Sequence, residues 1–442
     1  MLTEFHIGFD DTDSPAGGCT TFTAALVFEQ LVRLGCSPID FPWIVRLNPN
    51  IPWKTRGNAA LAIRLRVEED QIDTAKNATL RIVESTSDPS VPSTDPAVAF
   101  LTGLRPSILR DFSRRALYDV LTVEEARRVV KTVGIDAHVF GKARGLIGAL
   151  AALGSEFEDL HTFEIIAYRT AKYLGSTRRV AASSVREMNL KHGDTTFNNI
   201  DDETGRILIT PRGPDPVLLG IRGDDPVKLI SAFECVQVAE PIERVALFKT
   251  NQGTDAHLTF QTSVQKLRPY VSAVLLGRVQ ETPRIIRGGH VFFELTDDTG
   301  IVDCAAYEPS GRFRSIVRKL VPGDKVRVSG GVRQGPGGRL TLNLERLEIL
   351  QLADDLRFFN PVCAGCNARC ESMGRNQGFR CRKCGRKYPD SSRVPVLQYR
   401  TLVPGMYLPP VRARRHLTRP IPEMTSLVLQ DTIGEVTTIA LS

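Results

Sequence analysis

The apolar positions of this chain fall into two periods, and the switch between them marks its parts. Residues 5 to 9, FHIGF, form a short apolar strand that stops at Asp10. In TFTAALVFEQLVRL, residues 21 to 34, Phe22, Ala25, Leu26, Glu29 and Val32 recur at helical spacing, so a helix follows the pair Gly17-Gly18. Strand, polar apex over 10 to 20 and helix make one unit. Next, IDFPWIVRLNPNIPWKTRGNAALAIRLRV predicts two strands around a Pro/Asn-rich loop, 48 to 58, carrying Lys54, Arg56 and Asn58. Residues 86 to 97 hold three prolines without periodicity and read as an exposed loop. TVEEARRVVKTVG predicts a helix opened by a capping box, Thr122 to Glu125, and closed at Gly134.

A second glycine-rich turn, FGKARGLIGALAALG, leads into a helix of small residues, followed by the strand FEIIAYR and the stretch YLGSTRRV. The Asn/Asp-rich strip GDTTFNNIDDETGRILITPRGPDPVLLGIRGDD implies long ordered loops of the kind that carry function. Residues 268 to 350 then change character. VSAVLLGRVQ, HVFFELTDD, VDCAAY, DKVRVSGGVR and LTLNLERLEI are short alternating strands, with a helix-like GRFRSIVRKL after the third. That layout predicts an oligonucleotide-binding barrel; an Ig-like or SH3-like barrel explains the intervening helix less well.

At 442 residues, several domains are expected. The chain is 42% hydrophobic and 24% charged, and it has no apolar run long enough to span a bilayer, so no membrane partner is expected. The opening MLTEFHIGFDD lacks the pattern of a secretory signal, which points to the cytoplasm. Charge is uneven. From residue 361 onward there are 13 Lys/Arg against 5 Asp/Glu, a formal +8, which leaves the first 360 residues at −1 of the chain's +7. A basic end on a near-neutral body suits a polyanion.

Five of the nine cysteines, Cys363, Cys366, Cys370, Cys381 and Cys384, crowd into 22 residues. Two Cys-x-x-Cys pairs, Cys363/Cys366 and Cys381/Cys384, are joined by 14 residues, long enough to close one tetrahedron of thiolates. A structural Zn²⁺ in a zinc ribbon follows, with Cys370 outside the ligand set. Arg382, Lys383, Arg386 and Lys387 around the knuckles are candidate RNA contacts.

The apex GFDDTDSPAGGCTT places Asp10, Asp11 and Asp13 where they would repel one another unless a cation sat among them. Mg²⁺ suits oxygen ligands and bridges to phosphates. Gly17 and Gly18 allow close backbone approach, and Thr20 and Thr21 stand at a helix entry that favours an anion. The chain contains no Gly-x-x-x-x-Gly-Lys-Ser/Thr motif, so the expected Mg²⁺–ATP site lies on a scaffold other than a P-loop. The Thr20 hydroxyl either holds a phosphoryl group or accepts one.

GFDDTDSPAGGCTT, ARGLIGALAALG, EIIAYR, TTFNNID, PRGPDPVLLGIRGDD and CRKCG together resemble the archaeal isoleucine-tRNA 2-agmatinylcytidine synthetase family over essentially the whole chain. The resemblance implies a multidomain α+β protein with an unusual ATP-dependent catalytic domain, a ferredoxin-like domain, an OB-fold β-barrel and a zinc ribbon. It implies ATP-dependent attachment of agmatine to carbon 2 of the wobble cytidine in the CAU anticodon of isoleucine tRNA, with release of AMP and phosphates. The scheme it implies is phosphoryl activation of the base followed by amine displacement. Asp10, Asp11 and Asp13 would hold Mg²⁺–ATP, and Thr20 would be the catalytic threonine. One departure concerns the ribbon: the family opens it Cys-Pro-x-Cys, whereas here Cys363-Ala364-Gly365-Cys366 stands, with the added Cys370.

On this reading the parts are a catalytic domain over 1–135, ferredoxin-like and remaining catalytic elements over 136–265, interleaving with the first, an OB-fold over 268–350, a zinc ribbon over 360–390 and a basic extension over 391–442. Lys142, Arg144, Arg178 and Arg179 are candidate phosphate contacts beside Gly17 and Gly18. Asp194, Asp201, Asp202 and Glu203 are candidate agmatine ligands; each is equally able to cap a turn. Arg412, Arg414 and Arg415 are further candidate RNA contacts. The competing readings are a non-enzymatic nucleic-acid-binding protein whose Asp cluster is structural, and a nucleotide-dependent nuclease or kinase using the same metal.

Overall fold

The computed structural model describes residues 2–420 apart from 89, 92, 158 and 159; the rest of the basic extension, 421–442, lies outside the described residues. The catalytic part opens with strand β1 (Leu2–Asp10) and helix α1 (Thr20–Arg33). Strands β2 (Ser37–Pro38), β3 (Trp43–Arg46) and β4 (Ala59–Glu68), helix α2 (Ile72–Thr86) and strand β5 (Ala97–Thr102) follow. Helices α3 (Ser107–Ala116) and α4 (Val123–Val133), strand β6 (Asp136–Val139) and helix α5 (Gly145–Leu153) complete this part. The ferredoxin-like part runs β7 (Thr162–Arg169), α6 (Ala182–His192), β8 (Thr196–Phe197), β9 (Val217–Gly223), α7 (Pro226–Glu234), β10 (Ile242–Thr250). All ten strands form one sheet, β6-β5-β1-β4-β3-β10-β7-β9-β8, with β2 beside β4. The two parts join where β10 lies parallel to β3; the other pairings are antiparallel.

Alternation sorts residues by size. On β1, β4 and β5, Phe5, Ile7, Phe9, Leu61, Ile63, Leu65, Val98 and Phe100 point toward α1 and α2. Ala60, Ala62, Ala97 and Ala99 point the other way, toward α3, α4 and α5. Small residues are needed there because α5 sits directly on the sheet. A Cβ on Gly8 would lie 2.2 Å from the Ala149 carbonyl oxygen, and one on Gly148 would collide with the Asp10 carboxylate. Nearly every residue of α5 is buried, as expected of a helix apolar all round and covered on both sides.

In α1 the buried positions include Thr20, Ala24, Val27 and Leu31, whereas Val32 is exposed. The buried stripe is therefore rotated from the one its apolar spacing suggested, although Phe22 still packs edge-on against Tyr168. The capping box of α4 is present with both arms, and Gly134 ends the helix with φ of 77°.

The barrel comprises β11 (Ser272–Val279), β12 (Arg284–Ile286), β13 (His290–Asp297), β14 (Gly300–Ala306), α8 (Arg312–Val317), β15 (Lys325–Gln334) and β16 (Leu340–Gln351), with the helix after the third of its five main strands. β11 pairs with both β13 and β15, and β14 pairs parallel with β16. Loop 48–58 docks the catalytic part on this barrel. Buried Asn48 donates to the carbonyls of Asp119 and Tyr270, and Asn50 donates to Ser272 Oγ at 2.8 Å. Beyond the barrel, β17 (Leu356–Phe359) pairs with β21 (Val394–Leu397) and encloses the ribbon strands β18 (Glu371–Ser372), β19 (Phe379–Arg380) and β20 (Lys387–Tyr388). The chain then returns, adding β22 (Gly405–Tyr407) to β16. Among the described residues no helix is long and apolar enough to cross a membrane.

The α5 contact gives a direct test. Gly8→Ala should destabilise the protein by about 1–3 kcal/mol through overpacking, read as a lower denaturant midpoint. An unchanged midpoint would mean that the helix does not sit this close.

Candidate functional site

Where β1 ends, the backbone must turn sharply to reach α1, and the turn is built from carboxylates. Asp10 Oδ1 accepts the Asp11 amide at 2.7 Å, and Asp11 adopts φ of 61°, a left-handed conformation uncommon outside glycine and one that Asp tolerates. Ser14 and Gly17 exchange backbone hydrogen bonds, and Gly18 follows at φ of 76°. Arg56, from the loop between β3 and β4, clamps this turn. Its guanidinium donates to the carbonyls of Ser14, Gly17 and Gly18 and lies 3.3 Å from both Asp13 and Asp215.

Arg144 supports the turn from the other side, 3.5 Å from Asp11 Oδ2, and also donates to the Ser93 carbonyl. Asp95 fixes the approach to α5 by accepting the amides of Ala143 and Arg144. Thr20, at the first position of α1, is buried on the same cavity wall as Asp13 and favours its ionised form. Cys19 Sγ lies 3.0 Å from Thr21 Oγ1.

Asp10, Asp11, Asp13, Cys19, Thr20, Thr21, Arg56 and Arg144 line one cavity of about 350 Å³, together with Arg46, Trp53, Lys54, Glu164, Asp215, Arg222 and His416; Gly17 and Gly18 shape the turn without lining it. Its electrostatics are strained. Burial first, then Asp11 and Asp13, raise the Asp10 carboxyl well above its ordinary range. Burial also lifts Asp11 to about 6 against the pull of Arg144, and it raises Asp13 against Arg56. Glu164 is buried and accepts from Arg222 Nε at 2.9 Å and from Gln252 Nε2. Asp215, also buried, is held by Arg178 at 3.2 Å.

The structure thus brings Asp10, Asp11, Asp13, Thr20 and Arg144 to one cavity wall. Lys142 is exposed and does not line the cavity. Arg178 spends its donors on the carbonyls of Gly213, Asp215 and Val217, and exposed Arg179 lies over the Tyr173 ring; neither lines the cavity. The acidic strip also lies elsewhere. Asp194 and Asp202 are exposed, while Asp201 and Glu203 each accept from Arg412 at 2.8 Å, tying the C-terminal segment down. Arg412 is thereby occupied, Arg414 donates to the Pro409 carbonyl, and Arg415 lies 3.6 Å from Glu345.

Arg46, Glu164, Asp215, Arg222 and His416 escaped the sequence reading. Glu164, Asp215 and Arg222 fall inside EIIAYR and PRGPDPVLLGIRGDD, stretches that carry the family resemblance without showing which side chains face the cavity; Arg46 ends β3 with no motif around it, and His416, far along the chain from Asp11, enters only through the returning strap. Arg56 was visible as part of a basic loop, without a role.

In the ribbon, the sulfurs of Cys363, Cys366, Cys381 and Cys384 lie within 4.8 Å of one another. Both knuckles are built alike. Asn367 N donates to Cys363 O and Cys363 N to Ala368 O; Gly385 N donates to Cys381 O and Cys381 N to Arg386 O. Asn367, at φ of 51°, supplies the left-handed residue that Gly385 supplies in the second knuckle. Cys370 is buried beside Phe379, outside this set.

Residues 6–142 match the TiaS TCKD domain and residues 143–257 the TiaS FLD domain. Residues 273–350 match the OB-fold nucleic acid binding domain and 360–402 the TiaS C-terminal zinc ribbon domain. The chain is 41% identical over 416 residues to the isoleucine-tRNA 2-agmatinylcytidine synthetase TiaS of Pyrococcus horikoshii, covering 94% of this chain and 96% of that one. It is similar to the protein in the crystal structure of TiaS in complex with isoleucine tRNA and ATP, with a TM-score of 0.83 at 37% identity over 95% of this chain and 97% of that one. For the complex of TiaS with isoleucine tRNA, AMPCPP and agmatine the TM-score is 0.81 at 35% identity, covering 95% and 96%. Similarity of this extent, through all four parts of the fold, places the chain in the archaeal isoleucine-tRNA 2-agmatinylcytidine synthetase family.

Proposed function

We propose that this chain uses ATP to join agmatine to carbon 2 of the wobble cytidine in the isoleucine tRNA with the CAU anticodon. The observation that carries the reading is the meeting, in one cavity, of three carboxylates at a strand end and a threonine at a helix entry. Asp10, Asp11 and Asp13 suit Mg²⁺, because a dication offsets the burial and mutual repulsion that raise their carboxyls. Such an ion, when bound, neutralises charge on the ATP phosphates. Gly18 and the free amides at the start of α1 receive a phosphate, and the Thr20 hydroxyl, on the same wall as Asp13, holds or accepts the phosphoryl group.

Oxide is a hopeless leaving group, so the base has to be activated. A phosphoryl group placed on the cytosine O2 makes that oxygen part of a phosphate. The agmatine amine then adds to C2, the C2–O2 bond breaks, phosphate departs with the oxygen and the new nitrogen gives up its proton. Glu164 and Asp215, buried carboxylates on the ferredoxin-like side of the cavity, suit the two cationic ends of agmatine better than the strip 194–203 does. Trp53 offers a flat apolar face at the rim for a base splayed out of the anticodon loop.

The ribbon suits Zn²⁺. A tetrahedron with Zn–S of about 2.3 Å puts sulfurs about 3.8 Å apart, and Cys363 Sγ lies 3.6 Å from Cys384 Sγ. The exposed Arg382, Lys383, Arg386 and Lys387 then meet tRNA phosphates.

Two experiments test these assignments. Asp11→Asn should lower formation of the modified nucleoside by about 100-fold or more while tRNA affinity stays within about threefold; undiminished turnover would make the Asp cluster structural. Purified protein should carry about one zinc ion per chain, lost in Cys381→Ser and kept in Cys370→Ser by elemental analysis. Loss of zinc from Cys370→Ser instead would redraw the ligand set.

A further inference from the structure

A second cavity, of about 280 Å³, adjoins the first, and among the described residues no carboxylate lines it. Arg46, Lys54 and Arg56 come from the β3–β4 region, and Arg414, Arg415 and His416 from the strap that returns after the zinc ribbon. The two cavities share Arg46, Lys54, Arg56 and His416, whereas Asp10, Asp11, Asp13 and Thr20 line only the first.

The strap is held firmly enough to make this a built site. Gly253 N donates to His416 O at 2.9 Å, Asp255 N to Leu417 O at 2.7 Å, and Leu417 is buried. Arg412 is anchored on Asp201 and Glu203, as above. Gly57 leaves the room: a Cβ there would lie 2.6 Å from Arg46 Nη1 and 3.1 Å from the His416 ring. The countercharges of Arg46, Arg56 and Arg415, namely Glu164, Asp13 with Asp215, and Glu345, lie outside the lining. Lys54 donates to the Ile51 carbonyl.

Like charges so arranged repel. Burial, then Arg415 and Arg333, lower the Lys54 ammonium below its ordinary value. Arg46 first, then burial, Arg222 and Arg415, lower the His416 imidazole well below its ordinary value. Arg46 Nε is buried without a hydrogen-bond partner among the described residues. An anion with several acceptor oxygens would satisfy all of these at once.

We infer that this cavity is a phosphate site, distinct from the triphosphate position at the Asp cluster, that holds a phosphate group next to the nucleotide being modified. It rests on the function proposed above. The chemistry fits either the RNA backbone diester flanking the wobble cytidine or the inorganic phosphate released from the base. The site joins two segments about 360 residues apart in the chain, so the strap completes it only when the protein is fully assembled.

The test uses the full-length zinc-loaded protein and the charge-removing pair Lys54→Gln/Arg414→Gln. Lys54→Gln alone serves if the pair unfolds, and Lys54→Arg is the rescue. Wild-type modification of the tRNA transcript is measured first, so failure of the reaction itself is seen separately. If the backbone is the ligand, transcript affinity falls about tenfold and the salt slope becomes shallower by about 1 for each lost contact. A neutral methylphosphonate beside the wobble nucleotide then removes the difference between variant and wild type, and Lys54→Arg restores affinity. If released phosphate is the ligand, transcript affinity holds while product inhibition by inorganic phosphate weakens at least fivefold. Unchanged transcript binding together with unchanged phosphate inhibition would overturn the inference.

Discussion

The structure depends on forcing three carboxylates together in a closed space. Asp10 cannot move away from its neighbours because Gly148 of α5 lies against its carboxylate, and Asp11 cannot because its backbone is pinned at a positive φ. Arg144 and Arg56 brace the turn from two sides, but each is a monovalent cation shared with other partners. The repulsion that remains is what a divalent ion with its phosphates would discharge. Chemistry at this place follows from packing: the glycines of β1 and α5 decide where the charge sits.

The same wall shows why the other domains are attached. The cavity is closed by the β3–β4 loop, by strands of the ferredoxin-like part and by the strap returning from the ribbon, three segments that meet only after the sheet and barrel have assembled. Asn48 and Asn50 couple that loop to the barrel, and the buried His257–Glu345 contact couples the 251–258 segment to β16. Glu345 in turn faces Arg415 of the strap. A change in the barrel thus reaches the catalytic cavity through ordinary packing and hydrogen bonds, which gives the appended modules a structural role.

Much of this was legible in the sequence, for local reasons. The strand–apex–helix unit, the hairpin around 48–58, the capping box at Thr122, the five-stranded barrel and the paired Cys-x-x-Cys motif each rest on spacing within a few dozen residues, and the structure contains all of them. The face of α1 was less legible, because Thr20 and Thr23 are buried despite their hydroxyls: Thr20 lines the cavity beside Asp13, and Thr23 bonds to Thr86. The acidic strip misled for a related reason. A carboxylate's charge shows in the sequence but its partner does not, and Arg412, two hundred residues away, claims Asp201 and Glu203. Glu164, by contrast, was hidden inside the apolar strand FEIIAYR, where its burial against Arg222 and Gln252 has no local sign.

The most direct measurement is the mass of the nucleosides recovered after incubating the protein with unmodified isoleucine tRNA transcript, ATP, Mg²⁺ and agmatine. The account predicts one cytidine converted to a species heavier by agmatine less water, at the wobble position and only when ATP is present. A transcript whose cytidines all keep their original mass, with protein shown to be folded and zinc-loaded, would contradict it.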